Sequence, residues 1–127
     1  MKFNVPIVIK GKQNRWMNLN AFRNWHYQTS NNLKKRFKTL VQAELIERHL
    51  LDCKITQYPI SVTYTLYFRD KSNVDLANVC TVVDKFTLDA LVEFGILEDD
   101  SHKFVNNVKY VWGGVDKDNY RCEVEIC

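Results

Sequence analysis

The feature that most constrains the fold is a run of nineteen residues, Leu76–Phe94, with neither proline nor glycine, bracketed by Asp75 and Gly95. An aspartate is a preferred helix N-cap and a glycine a preferred stop, so the spacing predicts a helix from about Leu76 to Phe94. At 100° per residue, Leu76, Val79, Val83, Phe86, Ala90 and Phe94 share one apolar face, edged by Cys80, Thr87 and Leu91. Asn78, Lys85 and Asp89 fall on an adjoining stripe in line with Asp75. Asp84 lies roughly opposite Asp75 and is expected in solvent. A helix this apolar on one side must lie on a sheet or on another helix.

The sheet is legible as well. Ile60, Val62, Tyr64, Leu66 and Phe68 alternate with Ser61, Thr63, Thr65 and Tyr67, the period of a half-buried strand. Residues 3–10 alternate similarly, and Pro6 assigns them to a sheet edge. A long irregular loop follows, then a second helix capped by Thr29, Ser30 or Asn31 and running to about residue 50. Its expected inner face is Leu33, Phe37, Leu40 and Val41. Strands are expected near 103–112 and 119–126, the latter with Tyr120, Cys122, Val124 and Ile126 inward. The segment GGVDKDN is expected to join these two as a hairpin. The fold class is α+β: one small domain over 1–127, in the order β-α-β-α-β-β, a mixed sheet with two helices packed on it.

Charge is distributed unevenly. Residues 1–43 hold nine of the 18 lysines and arginines and none of the 15 acids, so they carry +9 and the remainder carries −6. A solvated basic face and a polyanion-binding face both account for this. The nucleic-acid candidates are Lys12, Arg15, Arg23, Lys34, Lys35, Arg36 and Lys38, with Trp16, Phe22, Trp25 and Tyr27 available to stack on bases. No apolar run is long enough for a membrane span. The opening MKFNVPIVIKGK lacks the length and cleavage site of a signal peptide, so a cytoplasmic protein is expected. Cys53, Cys80, Cys122 and Cys127 show no CxxC or zinc spacing and are read as free thiols, Cys80 and Cys122 in the core.

The stretch GILEDDSH places Glu98, Asp99 and Asp100 side by side immediately after the long helix. Either these acids cap a strand or they await a cation. The longer segment VDLANVCTVVDKFTLDALVEFGILEDDSHKFV resembles the signature of the RusA-type Holliday junction resolvases, in its phage and prophage forms. That family carries Asp-x-Asp-Asn, a lysine, Asp-Ala-Leu, a spacer with glycine, and Asp-Asp before a strand. Asp75 and Asn78 match the first element, Lys85 the lysine, Asp89-Ala90-Leu91 the next, and Gly95 with Asp99-Asp100 the last. Two departures stand out. The family's second aspartate is Ala77 here, and four additional residues, about one helical turn, separate Asn78 from Lys85.

The resemblance implies a Mg²⁺-dependent endodeoxyribonuclease, with Mn²⁺ able to substitute, acting on four-way or branched DNA as a homodimer. It implies Asp75, Lys85, Asp89 and Asp100 as catalytic residues, with Asp75, Asp89 and Asp100 holding the metal. Asn78, Asp84 and Asp99 are supporting or alternative residues, and Asp89 or Asp84 would replace the carboxylate absent at Ala77. Lys85 would meet the scissile phosphate. Val8, Val105 and Val111 are candidates for the dimer contact. Other readings of the same residues are a flap or fork nuclease, a branched-DNA-binding protein without cleavage, and an RNA-binding module.

Overall fold

The computed structural model describes residues 1–127. The chain starts as β1 (Lys2–Val5), breaks at Pro6, and resumes as β2 (Val8–Ile9), which pairs with β3 (Arg15–Trp16). A short helix α1 (Leu19–Asn24) leads into the long helix α2 (Tyr27–Glu47). Then come β4 (Ile60–Phe68), α3 (Leu76–Glu93), β5 (Val105–Val115) and β6 (Arg121–Ile126). The main sheet is ordered β1-β6-β4-β5, with β4 and β5 parallel and the other pairs antiparallel. It is a mixed sheet with helices packed on it, the α+β architecture expected, and β1, which stops at Pro6, does lie at an edge.

Local chemistry accounts for the elements. Asp75 caps α3, its side chain accepting from the Ala77 N–H, and Gly95 follows the helix at φ 76°. β4 buries Ile60, Val62, Tyr64 and Leu66 and leaves Ser61, Thr63, Thr65 and Tyr67 half-buried on its other side. The buried set meets α3 through Val79, Val83, Phe86 and Leu91, and α2 through Leu33, Phe37, Val41 and Leu45, in one core. Cys80 and Cys122 are buried there and all four cysteines are free thiols. The Cys80 thiol alongside and burial together raise the Cys122 thiol well above its ordinary value.

Several expectations are corrected. GGVDKDN is not a hairpin: β5 and β6 flank β4 rather than each other, and Gly113 and Gly114 belong to β5. The glycines serve a close pass instead. A Cβ on Gly113 would stand 2.7 Å from the Tyr67 ring and 2.8 Å from the Thr65 methyl. Gly114 has φ 128°, and the β4–β5 register shifts there, between Leu66 and Tyr67. Helix α2 starts earlier than Thr29, because the His26 ring accepts from the Gln28 N–H and acts as the cap. Leu40 is exposed, its place in the core taken by Leu45. The loop after residue 10 is not irregular throughout, since it contains β3 and α1. Tyr120 precedes β6 and is half-buried, whereas Cys122, Val124 and Ile126 do face inward. Val8 and Val105 are buried in the monomer and have little surface to offer a partner, while Val111 is exposed.

Candidate functional site

The main correction at the site concerns Asp84. It is not solvated but half-buried between α3 and the sheet. On the helical wheel it stands about 20° from Leu91, at the edge of the apolar arc. The Tyr64 hydroxyl donates to its Oδ1 at 2.6 Å, and the Tyr110 hydroxyl approaches Oδ2 at 3.5 Å. Tyr64 and Tyr110 are register partners on β4 and β5, so the parallel pairing brings both hydroxyls to one carboxylate. Burial raises the Asp84 carboxyl above its ordinary value. The two tyrosine bonds oppose that rise, and the charges of Asp100 and Asp89 add to it. Burial, then the Asp84 charge, holds the Tyr64 hydroxyl well above its usual range, so it stays a donor at neutral pH.

The acids in the turn are therefore divided. Asp100 stands near enough to Asp84 for its charge to be felt there. All three acids, Glu98, Asp99 and Asp100, are exposed, and the Glu98 backbone N–H donates to the Tyr58 hydroxyl. Asp89 is exposed on the α2 side of α3, in a groove lined by Lys34, Lys35, Lys38, Phe86 and Glu93. Lys85 is exposed, its Nζ 5.8 Å from the centre of the Phe22 ring.

Asp75 is remote from this group. It follows the last residue of β4 in the chain, while Asp100 precedes β5, whose start pairs with the first residue of β4. The two ends of β4 are about 26 Å apart at 3.3 Å per residue. Along α3, Asp75 and Asp89 are separated by about 21 Å of helical rise. Asp75 and Asn78 instead line a separate cleft of 490 Å³ with Trp16, Phe68, Arg69 and Asn73. Within one chain the expected metal set of Asp75, Asp89 and Asp100 does not converge, and no group of three or more His, Cys, Asp or Glu side chains is arranged around one point.

A hard divalent ion still has a place. Mg²⁺ is commonly held by one or two carboxylates, with waters and substrate phosphates completing the shell. Asp84 and Asp100 supply hard oxygens; burial is the main cause of the raised Asp84 carboxyl, and the charge of Asp100 adds to it. Two carboxylates are the oxygen donors such an ion takes.

The basic residues form more than one group. Lys12, Arg15 and Arg36 line a recess of 400 Å³ with Asn32, and Arg36 donates to the Lys10 carbonyl. Lys34, Lys35 and Lys38 line the groove facing Asp89, where Lys38 pairs with Glu93 and is partly neutralised. Arg23 is exposed at the end of α1. Among the aromatics, Phe22 packs on Trp25 and Phe86, whereas Tyr27 is 67% exposed. Two residues that the sequence did not single out for the site, Arg69 and Tyr120, flank Trp16. No local signal connects them, because they come from β4's end and β6's approach. No protein-family model and no curated protein matches the chain. No helix is long and apolar enough to cross a membrane.

Proposed function

We propose that this chain is a metal-dependent, structure-selective endodeoxyribonuclease that resolves four-way DNA junctions by paired nicks. The observation that carries the reading is the half-buried Asp84, oriented by two tyrosine hydroxyls and under the charge of Asp100, in a protein whose first third is purely basic. The resemblance of residues 74–105 to the RusA-type signature supports the same chemistry.

A bound Mg²⁺ or Mn²⁺ supplies charge relief at phosphorus and an acidified water. Asp84 and Asp100 would hold that ion, with the Asp84 carboxylate positioned by the Tyr64 and Tyr110 hydroxyls. Lys85, on the neighbouring exposed side of α3, offsets phosphate charge. Lys12, Arg15 and Arg36 grip the backbone of a DNA arm. Asp75, in its own cleft, stands apart from this pair. A two-fold dimer suits a junction with two-fold symmetry and opposed nicks. The open edge of β5, with Val108, Val111, Trp112 and Val115 each 39–45% exposed, supports it as the contact.

A second reading is a branched-DNA-binding protein without cleavage, favoured by Ala77 and by the distance between Asp75 and Asp100 within one chain. A synthetic four-way junction, each strand labelled in turn and incubated with Mg²⁺ or Mn²⁺, separates the two. Opposed nicks that vanish in Asp84→Asn and Asp100→Asn support the resolvase. Cleavage of a flap or fork in preference to the junction moves the reading to another substrate. Tight binding without a nick in either metal supports the second reading. Light scattering of Trp112→Lys against the unaltered protein tests the dimer.

A further inference from the structure

Four side chains from distant parts of the sequence form a continuous surface stack. Lys10 Nζ lies 5.9 Å from the centre of the Tyr120 ring. Tyr120 stacks on Trp16 with ring centres 5.6 Å apart and an interplanar angle of 27°. The Arg69 guanidinium carbon lies 4.5 Å from the Trp16 ring centre. The sequence cation–aromatic–aromatic–cation thus ends on Arg69, whose side chain remains 52% exposed and whose Nε lies 3.4 Å from Asp70 Oδ2.

Arg69 also forms a wall of the 490 Å³ cleft that holds Asn73, Asp75 and Asn78. Asp75 uses Oδ1 to cap α3 and leaves Oδ2 without a partner in the chain. The Asn73 and Asn78 side-chain amides make no hydrogen bond within the protein. The cleft therefore joins a half-exposed guanidinium, paired at Nε with Asp70, to two amides and one carboxylate oxygen without partners in the chain.

We infer that this cleft binds one unpaired nucleobase of the DNA substrate, stacked on Arg69 as the next rung after Trp16. Guanidinium planes and aromatic rings accept any base on its π-face. The amides and Asp75 then meet the base edge. Asp75 only accepts hydrogen bonds, so it meets a donor on the base edge: an exocyclic amino group, or the ring N–H of thymine or guanine. The carboxylate repels phosphate, which keeps the sugar-phosphate at the rim, towards Arg69 and Lys10. This inference rests on the nucleic-acid reading above and narrows it: the preferred substrate presents an unpaired base at its branch.

The test uses the full-length protein with a chelator to suppress cleavage. Binding is measured to a four-way junction and to the same junction with abasic positions at the branch, for the unaltered protein, Arg69→Ala and Asn78→Ala. Both positions are on the surface of the cleft, and circular dichroism checks their folding. In the unaltered protein the abasic junction is expected to bind about fivefold or more weakly, the scale of one lost base stack. In the two variants the abasic penalty should shrink towards none. An equal penalty in all three proteins, or none in any, overturns the inference. If no DNA binds at all, the nuclease reading fails separately, and free dCMP and dTMP decide the cleft by ligand-line broadening in NMR. Binding of either nucleotide, lost in Asn78→Ala, keeps the base site; no nucleotide binding, or binding that Asn78→Ala leaves unchanged, overturns it.

Discussion

Replacing Tyr64 by Phe removes one oxygen from the centre of the protein and isolates the role of the Asp84 carboxylate. The ring of Tyr64 is fully buried and packs the core, so phenylalanine keeps the packing. What is lost is the 2.6 Å donor to Asp84 Oδ1, leaving only the longer 3.5 Å approach of Tyr110. A hydrogen bond to a charged partner contributes about 1.5–3 kcal/mol, a neutral one about 0.5–1.5 kcal/mol. For a domain of this size the charged case corresponds to a fall in Tm of roughly 5–12 °C.

The pH dependence gives the sharper test. The Asp84 carboxyl is raised in the folded state by burial, then by Asp100 and Asp89, against the pull of Tyr64 and Tyr110. A raised folded value means that folding favours the protonated acid. Its contribution is fully present below the ordinary value of 3.8 and is lost as pH climbs through the raised one. Without the Tyr64 donor the carboxyl rises further, so the deficit of Tyr64→Phe must grow between about pH 3.5 and pH 7.5. Urea melts at the two pH values, with a chelator present, measure it. Asp84→Asn should abolish the growth. A deficit that is equal at both values, or that survives in Asp84→Asn, would refute the assignment of a charged bond.

Gly113→Ala should cost about 1–3 kcal/mol by forcing a methyl into the Tyr67 ring, and a thermal melt of Gly113→Ala/Tyr67→Ala should recover part of that loss. Asp75→Ala should cost about 1 kcal/mol as a lost helix cap, whereas Asp75→Ser, which can still accept from the Ala77 N–H, should melt close to the unaltered protein. Lys12→Ala and Arg15→Ala should each weaken duplex binding and reduce the slope of log K against log salt by about 1. Lys38→Ala, whose partner Glu93 already neutralises it, should change that slope less.

What was legible in the sequence was what neighbours along the chain decide. The bracket of Asp75 and Gly95 around an apolar run, and the alternation of 60–68, are local, and both elements formed where the spacing put them. Pairing is a contest among distant strands, and there local signals misled. The glycine pair at 113–114 suggested a turn, but its cause is the Tyr67 ring from another strand. Thr29, Ser30 and Asn31 suggested a cap, but the helix starts earlier, capped by the His26 ring. The acidic stripe was only half legible. Helical phase aligned Asp75 with Asp89, yet phase says nothing of the 21 Å between them along the axis. The same wheel set Asp84 beside Leu91, a hint of burial outweighed by the usual preference of aspartate for solvent. The stack through Trp16 draws on four segments and left no trace in any one of them.

The position of β6 has a consequence for how the molecule assembles. β1 has no partner in the main sheet except β6, and β6 in turn joins it to β4. Residues 2–5 therefore wait for residues 121–126 before they can enter the sheet, a closure across more than a hundred residues. During synthesis the β4-α3-β5 unit can form first with α2 packed on α3, but β1 stays outside the sheet until β6 has left the ribosome. Such long-range closure belongs to slowly folding topologies. A chain interrupted after β5 would leave one edge of β4 bare and β1 unpaired, an invitation to strand exchange between nascent copies.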